Sequence, residues 1–172
     1  MANLPSPSIY VASLADYNAG RYHGAWIDAD QEADAIRAEI KAMLDRSPTG
    51  DAEDYAIHDS SGWGAVDLSE FASIEDVARL AALLKEHPSE LVAYLQGEGC
   101  AADDIEDEIQ DRFRGVWESL AELALEDIGD ELPERFRDHA WTLAKAIASD
   151  WEQSGCYVTI RTGDGVAILC ND

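Results

Sequence analysis

Hydrophobic and polar residues alternate as in β-strands at both ends of the chain and recur at helical spacing between them. Near the N-terminus, strands are predicted over 9–14 and 21–27, separated by a turn over 16–20 that is rich in turn-forming residues. A helix is predicted over 31–45, before Ser47-Pro48, and a third strand over 55–58. The apolar positions that predict this helix are Ala33, Ile36, Ile40, Met43 and Leu44.

From about residue 67 the pattern is helical only. Ser73 and Asp76 form a helix start signal, because a hydroxyl and a carboxylate three residues apart can accept hydrogen bonds from the first turn. The helix that they open ends at Pro88. A short second helix is predicted around 91–95, and a third over 101–112.

The last third of the chain is mixed again. We predict a short strand over 113–117, a helix opened by Ser119 and Glu122, and a longer helix that begins at Pro133. Strands over 157–161 and 166–169 are joined by a turn that contains Asp-Gly, a strong hairpin signal. The whole pattern predicts an α+β fold of three small lobes, helical in the middle, with domains at 1–66, 67–112 and 113–172.

The charge of the chain restricts its partners. Acidic residues outnumber basic ones 36 to 12, so the formal net charge is −24, although 47% of the residues are hydrophobic. Such a surface repels nucleic acid and anionic membranes, which bind through Lys and Arg. No apolar run reaches the roughly 18 residues of a spanning helix, and no secretory leader is evident. With three scattered cysteines read as reduced thiols, we expect a soluble, cytoplasmic protein with a cationic partner.

No motif indicates catalysis, a metal or a cofactor. The four histidines are scattered, and the chain lacks a phosphate-binding loop, a nucleophile elbow and a dinucleotide fingerprint. One near-match to a calcium loop has alanine where the sharp turn needs glycine, and a predicted strand precedes it in place of a helix. Its acidic positions are Asp28, Asp30, Glu32, Asp34 and Glu39. We therefore predict a protein that is not an enzyme and has no metal or cofactor.

The arrangement of carboxylates is the most informative feature. Thirteen acidic residues lie between Glu98 and Glu131, opposed only by Arg112 and Arg114. Many are four residues apart, where like charges on a helix cost a few tenths of a kcal/mol per pair. Some lie toward a helix end, where negative charge is unfavourable. The predicted acidic surface consists of Asp103, Asp104, Asp107, Glu108, Asp111, Glu118, Glu122, Glu126, Asp127, Asp130 and Glu131.

Anions held in order on a folded backbone are electrostatically similar to the phosphates of DNA. A symmetric dimer would present 72 carboxylates, twice the 36 of one chain. At two charges per base pair they match the phosphates of roughly 36 base pairs as an upper bound. Composition alone fits equally well an acidic halotolerant structural or regulatory domain, in which the charge serves only solubility.

The sequence resembles the ArdA antirestriction proteins over nearly its whole length. The opening shares the family's layout of Tyr10-Val11, then Tyr17-Asn18-Ala19-Gly20, then Gly24-Ala25-Trp26-Ile27-Asp28. The segment 115–124, Leu132-Pro133 and the helix end at 151–155 are similar to the family's acidic antirestriction region and the segment after it. The resemblance implies a dimeric mimic of bent duplex DNA, carried on mobile elements. It also implies three small domains in an elongated monomer, occupation of the DNA-binding site of type I restriction–modification enzymes, and no catalytic residues.

Overall fold

A computed structural model describes residues 5–50, 52–129 and 131–171, which fall into two compact units, 5–103 and 104–171. Helices and two small antiparallel sheets make up these units, so the α+β class is confirmed. The division into three domains at 1–66, 67–112 and 113–172 stays a prediction.

The first unit is built on a three-stranded sheet. Strands β1 (Ser8–Ser13), β2 (Gly24–Asp28) and β3 (Tyr55–Ser61) pair antiparallel in the order β2-β1-β3. One face of the sheet is apolar and buried, with Ile9, Val11 and Ile27 almost fully covered. Helix α2 (Ala33–Leu44) packs against β2, and its own buried positions are Ile36, Ile40 and Met43. The predicted strands and helix are therefore confirmed, with shifted ends.

The predicted turn over 16–20 is wrong, because a short helix α1 (Leu14–Asn18) occupies most of it. Ser13 caps this helix by accepting a hydrogen bond from the backbone N–H of Asp16 at 3.3 Å. Gly20 then takes a positive φ of 74°. The chain needs residues 21–23 to return to the sheet, so β2 begins at Gly24 and not at 21. Residues such as Asp and Asn suit helix ends as well as turns, which explains the error.

The predicted helices of the middle segment are present. Helix α3 (Ile74–Glu86) is capped by the Ser73 hydroxyl, which accepts from the Asp76 N–H at 3.0 Å. Helix α4 (Ser89–Gly97) follows, with Leu91, Val92 and Leu95 buried. Helix α5 (Ile105–Arg112) begins four residues later than predicted and belongs to the second unit.

The second unit pairs a sheet with two helices. Strands β4 (Phe113–Trp117), β5 (Tyr157–Thr162) and β6 (Gly165–Cys170) form an antiparallel sheet in the order β4-β6-β5. Helices α6 (Leu120–Gly129) and α7 (Ala140–Ser154) pack closely on each other. The predicted helix from Pro133 is wrong in its first part, where Glu134–His139 form a 3₁₀ turn before α7. The core contains Leu120, Ala124, Ala144, Ala148 and Ile168.

The β5–β6 hairpin is confirmed as a two-residue loop between the paired residues Thr162 and Gly165. Gly165 has a φ of 148°, and a Cβ there would lie 2.4 Å from the backbone oxygen of Trp117 on neighbouring β4. Glycine is thus required where β4 and the hairpin meet. None of the three cysteines forms a disulfide in the described part of the chain.

Candidate binding surface formed by exposed carboxylates

The structure places most of the predicted acidic residues on or beside two helices of the second unit. Helices α5 and α6 both contact β4, one before and one after it in the chain. Asp107, Glu108 and Asp111 lie on α5, with Asp104 immediately before it. Glu122, Glu126 and Asp127 lie on α6, between Glu118 and Glu131. Asp103 falls in the first unit, and Asp130 lies outside the described residues.

The exposed carboxylates of α5 lie on the side of the helix opposite its buried residues. Ile105 and Ile109 are buried, so the side of the helix that faces away from them meets solvent. Asp107 and Asp111 are exposed and four residues apart, which makes them neighbours on the helix surface. The helix therefore presents two adjacent carboxylates.

Helix α6 presents carboxylates where they are least favourable. Leu120 and Ala124 face the core, and Glu126 and Asp127 are exposed in the last turn, which ends at Gly129. The last turn contains no basic residue. Negative charge at a helix C-terminus opposes the helix dipole, and Glu122 and Glu126 add a like-charge contact. Glu126 and Asp127 therefore do not stabilise the helix that carries them.

Three predicted residues are engaged in structural contacts. Asp103 forms an ion pair with Arg79. Glu108 pairs with Arg112 at 3.1 Å, and the Arg112 guanidinium also donates to the Cys170 carbonyl at 3.1 Å. The Glu122 carboxylate accepts from the backbone N–H of Glu118 at 2.9 Å, just before α6 begins. Glu108 and Glu122 are half-buried, in keeping with these roles, whereas the other described members of the set are exposed.

The density of acidic residues between 98 and 131 draws attention to one segment, but acidic residues are spread over the whole chain. Residues 1–103 contain 19 acidic and six basic residues, and residues 104–172 contain 17 and six. Each half is therefore strongly negative, by 13 and 11 charges. Among the described carboxylates, only Asp16 is fully buried. Each unit therefore carries exposed carboxylates outside the segment 98–131, and counting acids over the whole chain, not within one window, would have shown this.

The buried carboxylate of Asp16 has a structural role. The hydroxyl of Ser47 donates to its Oδ2 at 2.5 Å, the hydroxyl of Thr49 donates to its Oδ1, and Arg21 Nε lies 3.4 Å from Oδ1. Burial raises the pKa of Asp16, but the hydrogen bonds from Ser47 and Thr49, with smaller effects of Ser13 and His23, lower it to about 2. This anion joins α1 to the loop after α2 and is not available to a partner.

Other kinds of site find little support in the described part of the chain. No group of three or more His, Cys, Asp or Glu residues there could hold a metal ion. The calcium-loop candidate begins at Asp28, the last residue of β2, so a strand precedes it, as predicted. Its Asp28 Oδ1 accepts from the Ser6 hydroxyl at 3.1 Å and the Asp30 N–H at 2.9 Å. No helix in the described ranges is long and apolar enough to cross a membrane.

Fold and surface together define a class: a small acidic α+β protein whose carboxylates lie almost entirely in solvent. Within that class, the sequence model of the antirestriction protein (ArdA) family matches residues 9–164. The chain therefore belongs to the ArdA antirestriction protein family. No curated protein sequence matches it.

Proposed function

We propose that this protein is a non-enzymatic inhibitor that mimics duplex DNA and occupies the DNA-binding groove of a type I restriction–modification enzyme in the cytoplasm. Family membership supports the antirestriction role. The observation that carries the mimicry is the set of exposed carboxylates on α5 and α6, of which Glu126 and Asp127 lie in the last turn of α6, where negative charge costs helix stability.

Energetics support a binding role for these anions. In the described residues, the structure shows no ion pair for Asp107, Glu126 or Asp127. A surface optimised for stability would place Lys or Arg four residues from each Glu and gain roughly 0.2–0.5 kcal/mol per pair. The chain instead repeats acids, and a groove lined with Lys and Arg would supply the missing cations. Because that groove is built to bind phosphates, the same attraction would displace DNA.

We further propose that the protein is a homodimer joined through its second unit. Exposed large hydrophobic side chains there include Trp141 and Leu143, at the two margins of the buried stripe of α7. A chain with 24 uncompensated negative charges repels its own copies, which opposes non-specific association. Large apolar side chains left in solvent therefore favour one specific contact, in which they are buried. Pairing two copies would double the number of carboxylates on one particle.

Sedimentation equilibrium tests the dimer. Leu143→Glu should give a monomer, because it places a charge among apolar atoms at the contact. Thr142→Glu is the matched control, since Thr142 is the neighbouring exposed residue on the side of α7 away from its buried stripe. The control should remain dimeric. A monomeric wild-type protein at micromolar concentration would contradict the dimer proposal.

A displacement titration tests the inhibitor. A type I enzyme is bound to fluorescently labelled duplex DNA, and the protein is added while anisotropy is recorded. We expect complete release of the DNA near stoichiometric ratios, with an apparent affinity that falls as salt is added, because the enzyme's cations are screened. Retention of DNA at every ratio would remove the inhibitor proposal and favour a role of the charge in solubility alone.

A further inference from the structure

The solvent face of the first sheet carries an aromatic pair. Ile9 and Val11 point to the buried face, so Tyr10 between them points to the opposite one. Tyr10 is paired in register with Trp26 on β2 and with Asp59 on β3. The two rings have centroids 5.6 Å apart at an interplanar angle of 55°, and Trp26 is 51% exposed. A large aromatic surface therefore remains open to solvent.

Gly24 makes room for this arrangement. A Cβ at Gly24 would lie 2.8 Å from both Cζ and the hydroxyl oxygen of Tyr10, and 2.5 Å from the backbone oxygen of Val11. The Tyr10 ring therefore lies over Gly24, which is two residues before Trp26 on the same face of β2. Any other residue at position 24 would place its Cβ where the ring lies. The glycine thus leaves the space that the Tyr10 ring occupies.

Each ring of the pair has a carboxylate beside it on the same face of the sheet. Asp59 is the cross-strand neighbour of Tyr10, and Asp28 lies two residues beyond Trp26, on the same face of β2. Both carboxylates use Oδ1 for hydrogen bonds within the chain: Asp28 accepts from the Ser6 hydroxyl and the Asp30 N–H, and Asp59 accepts from the Ser60 N–H at 2.8 Å. The sequences of β1, β2 and β3 contain no Lys or Arg. We call Tyr10, Trp26, Asp28 and Asp59 the aromatic platform.

We propose that the aromatic platform binds the guanidinium group of an arginine side chain on a protein partner. A planar cation stacks on the face of Trp better than on any other side chain, and its N–H groups match the geometry of carboxylates. The platform offers both features side by side. The inference rests on the proposed function for the source of the arginine, which is the DNA-binding groove of the inhibited enzyme.

Other occupants fit less well. A nucleic acid base could stack on Trp26, but the negative charge of the chain repels its phosphates. An apolar peptide would bury Asp28 and Asp59 without partners, which is costly. Lysine would satisfy the charge, yet its compact, strongly hydrated ammonium lacks the planar face that stacks on an indole. Arginine alone uses the rings and the carboxylates together.

NMR of the isotope-labelled protein tests the platform directly. The indole N–H signals of the tryptophans are followed during titration with the capped tetra-arginine peptide and, separately, with the capped tetra-lysine peptide. Equal peptide charge cancels the general attraction to an acidic surface. We expect the Trp26 signal to shift saturably with an affinity about two- to fivefold higher for the arginine peptide, the range of an exposed cation–π contact. Trp141 should show no such preference, because Lys145 Nζ already lies 5.3 Å from its ring centroid.

Variants separate the platform from general charge. The variants are followed through the backbone amide signals of Asp28 and Asp59, which remain when the indole is removed. Trp26→Leu should abolish the preference for arginine, whereas Tyr22→Leu, which removes a 98% exposed ring elsewhere in the same unit, should keep it. Equal affinities of the two peptides at Trp26 in the wild-type protein would overturn the inference. Equal affinities would not affect the result of the DNA displacement titration, so the proposed function could still hold. Conversely, a clear arginine preference with no displacement of DNA would support the aromatic platform and contradict the proposed function.

Discussion

Neutralising Glu126 should stabilise the protein, although the change removes a charged residue from the proposed binding surface. Glu126 lies exposed in the last turn of α6, and the helix ends three residues later. The substitution Glu126→Gln removes two unfavourable electrostatic interactions. Relief from the helix dipole contributes about 0.3–1 kcal/mol, and loss of the like-charge contact with Glu122 contributes roughly 0.2–0.5 kcal/mol. The free energy of unfolding should therefore rise by about 0.5–1.5 kcal/mol.

Urea denaturation followed by circular dichroism measures this difference, in low salt and in 1 M NaCl. In 1 M salt the Debye length is only about 3 Å, so the gain should shrink toward zero. Glu122→Gln is the matched control on the same helix. It also relieves repulsion, but it loses the favourable interaction of a first-turn anion and weakens the hydrogen bond to the Glu118 N–H, so it should bring no gain.

Equal effects of the two substitutions, or a loss of stability in Glu126→Gln, would refute the reasoning. Either result would mean that the anions at the end of α6 already have stabilising partners. The argument that they are retained for binding would then lose its energetic basis.

Three further predictions concern the architecture that supports the surface. The pKa of Asp16 lies below its usual 3.8, at about 2, so its stabilising effect is present above pH 3.8 and is lost as pH falls through about 2; Asp16→Asn should flatten the stability profile between pH 4 and pH 2 in urea titrations. Ile168→Ala should lower the free energy of unfolding by about 2–5 kcal/mol in chemical denaturation, because this fully buried side chain fills the core beneath α6 and α7. Gly24→Ala should cost about 1–3 kcal/mol, because its Cβ meets the Val11 backbone, and should shift the Trp26 indole signal in NMR spectra; an unchanged signal would show that Tyr10 does not depend on this glycine.

Most elements could be predicted because their signals are local. The hydroxyl of Ser73 and the stripe of apolar residues behind it indicate α3, and the Asp-Gly turn between alternating segments indicates the β5–β6 hairpin. The elements that were predicted incorrectly lie where the same residue types are common in two kinds of local structure. Residues 16–20 suit a turn as well as a helical turn, and the structure shows the helix capped by Ser13 and the buried Asp16 bonded to Ser47 and Thr49.

The candidate surface could be predicted only in part. The spacing of acids on α5 and α6 follows from the sequence, and so does the unfavourable position of Glu126. The ion pair of Asp103 with Arg79 could not, because the partners are 24 positions apart and meet only through folding. The aromatic platform was missed for the same reason, since Tyr10, Trp26 and Asp59 become neighbours through strand register.

The arrangement of the carboxylates, beyond their number, is the central claim, and a comparison of two variants with equal net charge tests it most directly. One variant carries Asp107→Asn, Asp111→Asn, Glu126→Gln and Asp127→Asn; the other carries Glu134→Gln, Asp138→Asn, Asp150→Asn and Glu152→Gln, all exposed and all in the same unit. Affinity for a type I enzyme is measured by displacement of labelled DNA. We predict that the first variant loses affinity markedly and the second only slightly. Equal losses would contradict the account, because total charge alone would then explain the binding.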